Sequence, residues 1–125
     1  MIDWKGKSVI IAEDEYANFL LLKEYIEFTG ITIIRARNGT EVLEICRKAY
    51  PDIILMDIMM PIMDGYQAVL TIRQENKDIP IIAQTAHAML GDKEIILEAG
   101  CNDYLAKPIA EEVLISTMQK YLDTK

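Results

Sequence analysis

Glu13, Asp14 and Asp57 carry carboxylates, Thr85 a hydroxyl and Lys107 an ammonium, and each stands at the end of a short apolar run. "SVIIA" leads into Glu13-Asp14, "IILM" into Asp57, "IPIIAQ" into Thr85, and "DYL" into Ala106-Lys107-Pro108. An ionised carboxylate is costly to bury, so Asp57 at the edge of "ILMDIMMPIMDG" needs either solvent or a chemical reason. Taken singly, these residues are ordinary: a strand-end acid caps the next helix, a threonine sits in a turn, a lysine is a solvated charge. Together they are the parts of a phosphoryl-transfer site.

The chemistry follows from the donor set. Three carboxylates within a few ångströms repel, by roughly 4 kcal/mol for a pair about 4 Å apart at an effective dielectric near 20. They must protonate or recruit a cation. An all-oxygen site with open positions suits Mg²⁺ (or Mn²⁺), which keeps several waters and completes its shell with phosphate. Asp14 and Asp57 are the candidate direct ligands, Glu13 binds directly or through water, and the backbone carbonyl of Met59 offers a further oxygen. Asp57 can then attack a phosphoryl group to form an aspartyl phosphate. Lys107 would neutralise charge on the transferring group, and Thr85 would hydrogen-bond one of its oxygens.

These side chains meet only if the chain folds as an alternating α/β domain. Residues 8–12, 31–36, 53–56 and 79–84 read as strands, with a shorter fifth at 103–105. Their nearly continuous apolar pattern suits a parallel sheet covered on both faces. Helices are expected over 15–29, 40–49, 65–75, 91–99 and 110–122. In the last of these, Ala110, Val113, Leu114, Thr117 and Tyr121 share one face at helical spacing. Gly30 and Gly100 stand where C-terminal caps belong, and Asn38, Asp64 and Asp92 where N-caps belong. Pro61 stiffens the loop after Asp57. The result is a (βα)₅ doubly wound parallel five-stranded sheet of order 2-1-3-4-5. Its ligands would bind beyond the carboxyl ends of the strands, beside the switch between strands 1 and 3.

Composition bounds the function. The 125 residues suit a single domain, with a core over about 7–122, and no repeat or linker divides them. Twenty acidic against thirteen basic residues give a formal charge of −7, which argues against direct nucleic-acid binding. No apolar run reaches the roughly 20 residues of a membrane span, and the start "MIDWKGKS" has no apolar signal centre. Membrane contact by the domain is therefore not expected. Cys46 and Cys101 form no CxxC pair and read as reduced packing residues of a cytoplasmic protein.

With these residues in hand, the sequence closely resembles the receiver domain of two-component response regulators, from about residue 7 to 122. The resemblance rests on Glu13-Asp14, on "LMDIMMPIMDG" around Asp57, on "AQTAHAM" around Thr85 and on "DYLAKPI" around Lys107. It implies the flavodoxin-like fold and phosphorylation of Asp57 from a phosphohistidine on a histidine kinase or histidine phosphotransfer domain. It also implies Mg²⁺ on Glu13, Asp14 and Asp57, with Thr85 and Lys107 contacting the phosphoryl group. Thr85 and Tyr104 would form the switch, altering the face made by helix 4, strand 5 and helix 5 for a downstream output domain or protein. Such a domain catalyses its own phosphorylation and dephosphorylation and is not a turnover enzyme. Met59 and His87 fall where receivers vary and would tune the phosphate lifetime. Glu13 stands where an aspartate is more frequent. The Lys107-Pro108 bond is often cis in this family. The runs "WKGKSVIIAEDEYAN" and "TAHAMLGDKEIILEAGCNDYLAKPI" look most like C-terminal receivers of hybrid sensor histidine kinases, which favours excision from a larger, membrane-anchored kinase over a free receiver.

Three other readings compete. A haloacid dehalogenase-type phosphatase resembles DxD at its nucleophile, but Met59 fills the second position. A flavodoxin-like electron carrier needs a Ser/Thr/Gly-rich phosphate loop, where this chain has "EDEYAN". A degenerate receiver kept as an interaction module would lack phosphorylation residues, and all are filled here.

Overall fold

The computed structural model describes residues 2–60, 64–86 and 90–123, with the side chains of 90–92 left aside. Pro61, His87 and the capping side chain of Asp92 therefore lie outside the described residues. Five strands, β1 (Ser8–Ala12), β2 (Thr32–Ala36), β3 (Ile53–Asp57), β4 (Ile81–Thr85) and β5 (Asp103–Ala106), form one parallel sheet of order β2-β1-β3-β4-β5. Between and after them run α1 (Tyr16–Ile26), α2 (Gly39–Ala49), α3 (Gly65–Glu75), α4 (Leu90–Ala99) and α5 (Glu111–Leu122). No helix is long and apolar enough to cross a membrane among the described residues.

Burial explains why the strands read as unbroken apolar runs. Every residue of β3 and β4 is buried, whereas the edge strands β2 and β5 are only partly so. Strand side chains alternate between faces, so each strand feeds two cores. On one face, Ile10, Ile54, Met56, Ile81 and Ala83 pack with Val42, Val69, Ile72 and Ile96 of α2, α3 and α4. On the other, Ile11, Leu55, Ile82 and Leu105 pack with Phe19 and Leu22 of α1 and Leu114, Met118 and Leu122 of α5. Trp4 joins this second core fully buried, and its indole N–H donates to Asp123 Oδ1 at 2.8 Å. That bond ties the chain's start to the end of α5.

Several boundaries differ from expectation for local reasons. The tail of α1 tightens into a 3-10 turn, Glu27–Thr29, before Gly30 turns left-handed at φ 82°. β4 begins after Pro80, which has no N–H to give the ladder but accepts one from Ile54 through its carbonyl. The expected face of α5 is rotated. Leu114 and Thr117 are buried as expected, but Val113 is 50 % exposed and Ala110 is exposed. Met118 and Leu122 take the core positions, because α5 docks along its i, i+4, i+8 row. The caps of α2 and α3 form as expected: Asn38 Oδ1 accepts the Glu41 N–H, and Asp64 Oδ1 the Gln67 N–H. Cys46 and Cys101 are unpaired, and burial pushes their thiols up to about 11 and about 12.

Tyr50 is the one described non-glycine residue at positive φ, 48°, ending α2 with its ring 79 % exposed. A left-handed residue with a Cβ costs roughly 1–2 kcal/mol, and the exposed ring regains little of it. Tyr50→Asn is expected to stabilise the fold by about 0.5–1 kcal/mol, read as a higher urea midpoint with an unchanged slope. A lower midpoint would show that the ring's contacts outweigh the strain.

Candidate functional site

The sheet's own alternation builds the site. Glu13, Asp57 and Lys107 each lie two residues beyond a core residue, namely Ile11, Leu55 and Leu105. All three residues therefore project from the α1/α5 face at the carboxyl ends of β1, β3 and β5. Register completes the row, since Ala12 pairs with Met56 just before Glu13 and Asp57, and Asp57 pairs with Gln84. Glu13 is wholly buried and Asp57 is 3 % exposed, whereas Asp14 lies exposed at the rim.

Lys107 sits over the two buried acids. Its Nζ is 3.2 Å from Asp57 Oδ2 and 3.3 Å from Glu13 Oε1. The remaining oxygens face backbone donors: Met59 N–H on Asp57 Oδ1 at 3.0 Å, and Glu15 N–H on Glu13 Oε2 at 3.2 Å. Burial, and then the charge of Asp57, push the Glu13 carboxyl up to about 7 against the opposing pull of Lys107. Burial alone would lower the Lys107 ammonium, but Asp57 and Glu13 together hold it above its ordinary value.

One oxygen from each of Glu13, Asp14 and Asp57 lies within 4.8 Å of the others. This hard, anionic, all-oxygen set fits a small divalent cation such as Mg²⁺, and no histidine or cysteine joins the cluster among the described residues. Thr85 is buried at the end of β4, one residue past Asp57's register partner, and its carbonyl accepts the Lys107 N–H at 2.8 Å. Tyr104 is half-buried, packed on the α2/α3/α4 core with the Lys93 ammonium 5.7 Å from its ring centroid. The Met59 side chain is 72 % exposed beside the site. The Lys107-Pro108 peptide is cis.

Two further residues shape the site without a motif to announce them. Arg35 on β2 donates to the carbonyls of Glu13 and Asp14 at 3.0–3.3 Å, and its guanidinium lies over the rings of Tyr16 and Phe19. It holds the acidic loop through backbone atoms that any sequence would supply. Gly65, the first residue of α3, donates its N–H to Ile58 O at 3.0 Å. A Cβ there would lie 2.5 Å from the Asp57 carbonyl oxygen and 2.7 Å from Ile58 Cα.

Residues 9–119 match the family described as the response regulator receiver domain. The chain belongs to that family. It is a receiver domain of two-component signalling. The polar-differentiation response regulator DivK of Brucella ovis is 42 % identical to it over 118 residues, covering 93 % of this chain and 96 % of DivK. Among solved structures, the receiver domain of sensor histidine kinase PA1611 from Pseudomonas aeruginosa superposes with a TM-score of 0.87 at 34 % identity. That match covers 94 % of this receiver domain and 98 % of the other chain, whose active-site cleft coordinates a magnesium ion. The co-crystal of the Saccharomyces cerevisiae phosphotransfer protein Ypd1 with the receiver domain of Ssk1 gives a TM-score of 0.91 at 28 % identity, covering 98 % of this chain and 92 % of that one.

In this receiver domain, Gly65→Ala should cost about 1–3 kcal/mol in urea denaturation, because the new methyl meets backbone on the strand that aims Asp57. A neutral effect would mean that α3 can slide away from Asp57 without penalty.

Proposed function

We propose that Asp57 is the phosphoacceptor and that Glu13, Asp14, Asp57 and the backbone carbonyl of Met59 hold Mg²⁺ (or Mn²⁺). The observation that carries this reading is the burial of Asp57 beside a second acid, with Lys107 Nζ at 3.2 Å, where the three acidic groups converge. When bound, the metal neutralises the carboxylates and charge on the phosphoryl oxygens. An Asp57 oxygen forms the new O–P bond as the P–N bond of a phosphohistidine breaks, and the imidazole leaves with its electron pair and takes up a proton. Lys107 offsets charge on the transferring group, and Thr85 donates its hydroxyl to a phosphoryl oxygen. In the switch that follows, Thr85 moves toward the phosphate and Tyr104 turns inward behind it. Met59 and His87 tune the phosphate lifetime.

A histidine kinase or histidine phosphotransfer domain supplies the phosphoryl group, a role supported by the Ypd1–Ssk1 receiver complex. We read the chain as one cytoplasmic receiver domain over residues 1–125, a relay station of a hybrid kinase; it is not a turnover enzyme. With Mg²⁺ and acetyl phosphate, intact mass spectrometry is expected to show one added phosphoryl group on the wild type and none on Asp57→Asn. Labelling that persists in Asp57→Asn would refute the assignment. Lys107→Ala should retain Mg²⁺ binding and residual labelling while losing the NMR response of Tyr104 to the phosphodonor. A full response there would remove Lys107 from the switch.

A further inference from the structure

Gln84 is the fourth member of the strand-end row, and none of the chemistry above uses it. It lies two residues past the core residue Ile82, so its side chain shares the α1/α5 face with Glu13, Asp57 and Lys107. Register sets it directly beside Asp57 on one flank and Leu105 on the other. The side chain is 1 % exposed, and neither its amide nitrogen nor its amide oxygen has a hydrogen-bond partner among the described residues. A buried primary amide left this way forfeits the hydrogen bonds it made in water, at a cost that calls for a compensating role.

The surroundings supply a candidate partner. Gln84 lines a cavity of about 80 Å³ with Glu13, Asn18 and Lys107, closed otherwise by the apolar Leu21, Leu22, Pro108 and Ile109. That volume has room for an ordered water, and on its mostly apolar wall Gln84, Lys107, Glu13 and Asn18 are the polar side chains that could give it the two or more partners a buried water requires. Lys107 Nζ carries three N–H donors, of which Glu13 and Asp57 accept two. No protein group among the described residues takes the third. The orphaned amide and the unspent ammonium donor line the same small space.

We propose that Gln84 is a positioning residue for Lys107, acting through water held in this cavity. The water accepts the third N–H of Lys107 and donates to the Gln84 amide oxygen, while the amide N–H groups take the same water or a second one. Lys107 is thereby fixed from behind as well as from the two carboxylates in front, which keeps its charge aimed where the phosphoryl group arrives. A merely space-filling residue at this point would be apolar, like Ile82 and Leu105 around it. The inference deepens the phosphoacceptor reading and rests on it for its kinetic consequence only.

The test uses Gln84→Met, which preserves length and volume and removes both polar atoms. A high-resolution crystal structure of the wild type should show an ordered water within about 3.5 Å of both the Gln84 amide and Lys107 Nζ, absent from the variant. No water there overturns the proposal, whether or not Asp57 accepts phosphate. Asp57 labelling by acetyl phosphate should slow about tenfold in Gln84→Met, the effect of losing one hydrogen bond to a charged group. The double variant Gln84→Met/Lys107→Ala should label no more slowly than Lys107→Ala alone, because the two residues act as one unit. Multiplicative slowing, or a wild-type rate in Gln84→Met, would reduce Gln84 to a structural role. A wild type that shows the water but never labels would overturn the phosphoacceptor reading and leave the water-mediated contact standing.

Discussion

One ammonium between two buried carboxylates is the constraint around which the rest of the structure is arranged. Glu13 and Asp57 are held out of water side by side, and Lys107 is the cation within 3.3 Å of both. Desolvation makes such a triad weak as a source of stability, yet removing one partner of a buried pair typically costs about 3–5 kcal/mol. The fold must therefore offset the site's cost elsewhere. It does so with a sheet whose central strands are buried on both faces and feed two separate cores. The acids are carried at the ends of the adjacent strands β1 and β3, whose register holds them side by side.

The division of labour between Glu13 and Asp14 follows from strand parity. Glu13 continues the inward face of β1, is fully buried, and spends one oxygen on Lys107 and the other on the Glu15 amide. Asp14 has the opposite parity, has left the sheet, and is exposed at the rim. The extra methylene of glutamate lets a residue rooted at the strand end reach the ammonium while still capping the turn behind it. Its carboxyl is raised in spite of that double engagement: burial and the neighbouring Asp57 disfavour its charge, and Lys107 and the Glu15 amide offset only part of this. Asp14 carries the site's solvent-facing charge and Glu13 its buried charge, so the two adjacent acids are not equivalent.

Much of this was legible in the sequence because parity and burial leave direct marks. Four apolar, β-branched runs and a shorter fifth, separated by helical segments, pointed to a (βα)₅ sheet and the strand order such sheets commonly take, and polar residues ending apolar runs named Asp57, Thr85 and Lys107. What could not be read were contacts made through backbone or through space alone. Arg35 clamps carbonyls 21 and 22 residues away, Gly65 matters for a side chain it lacks, and Trp4 reaches an acid 119 residues on. Gln84 passed as an ordinary strand end because its burial and its lack of partners appear only once β4 is flanked by β3 and β5. The rotated face of α5 failed for another reason. Val113 and Met118 are both apolar, and only docking chooses which of two overlapping helical rows turns inward.

The same parity separates chemistry from signalling. Glu13, Asp57, Gln84 and Lys107 project toward α1 and α5, whereas Tyr104 packs with the core beneath α2, α3 and α4. Thr85, next along the strand from Gln84, has the parity of Ala83 on that second face. The two faces meet at the β4–β5 junction, where Thr85 pairs with Ala106 and its carbonyl accepts the Lys107 N–H. A force applied to the Lys107 side chain is thus delivered through one peptide hydrogen bond to the residue carrying the Thr85 hydroxyl. In the proposed switch, a charge change on one side of the sheet needs no path through packed side chains to reach Tyr104. It has only to shift the ends of two adjacent strands, and strand ends beyond the ladder are where a buried sheet yields most easily.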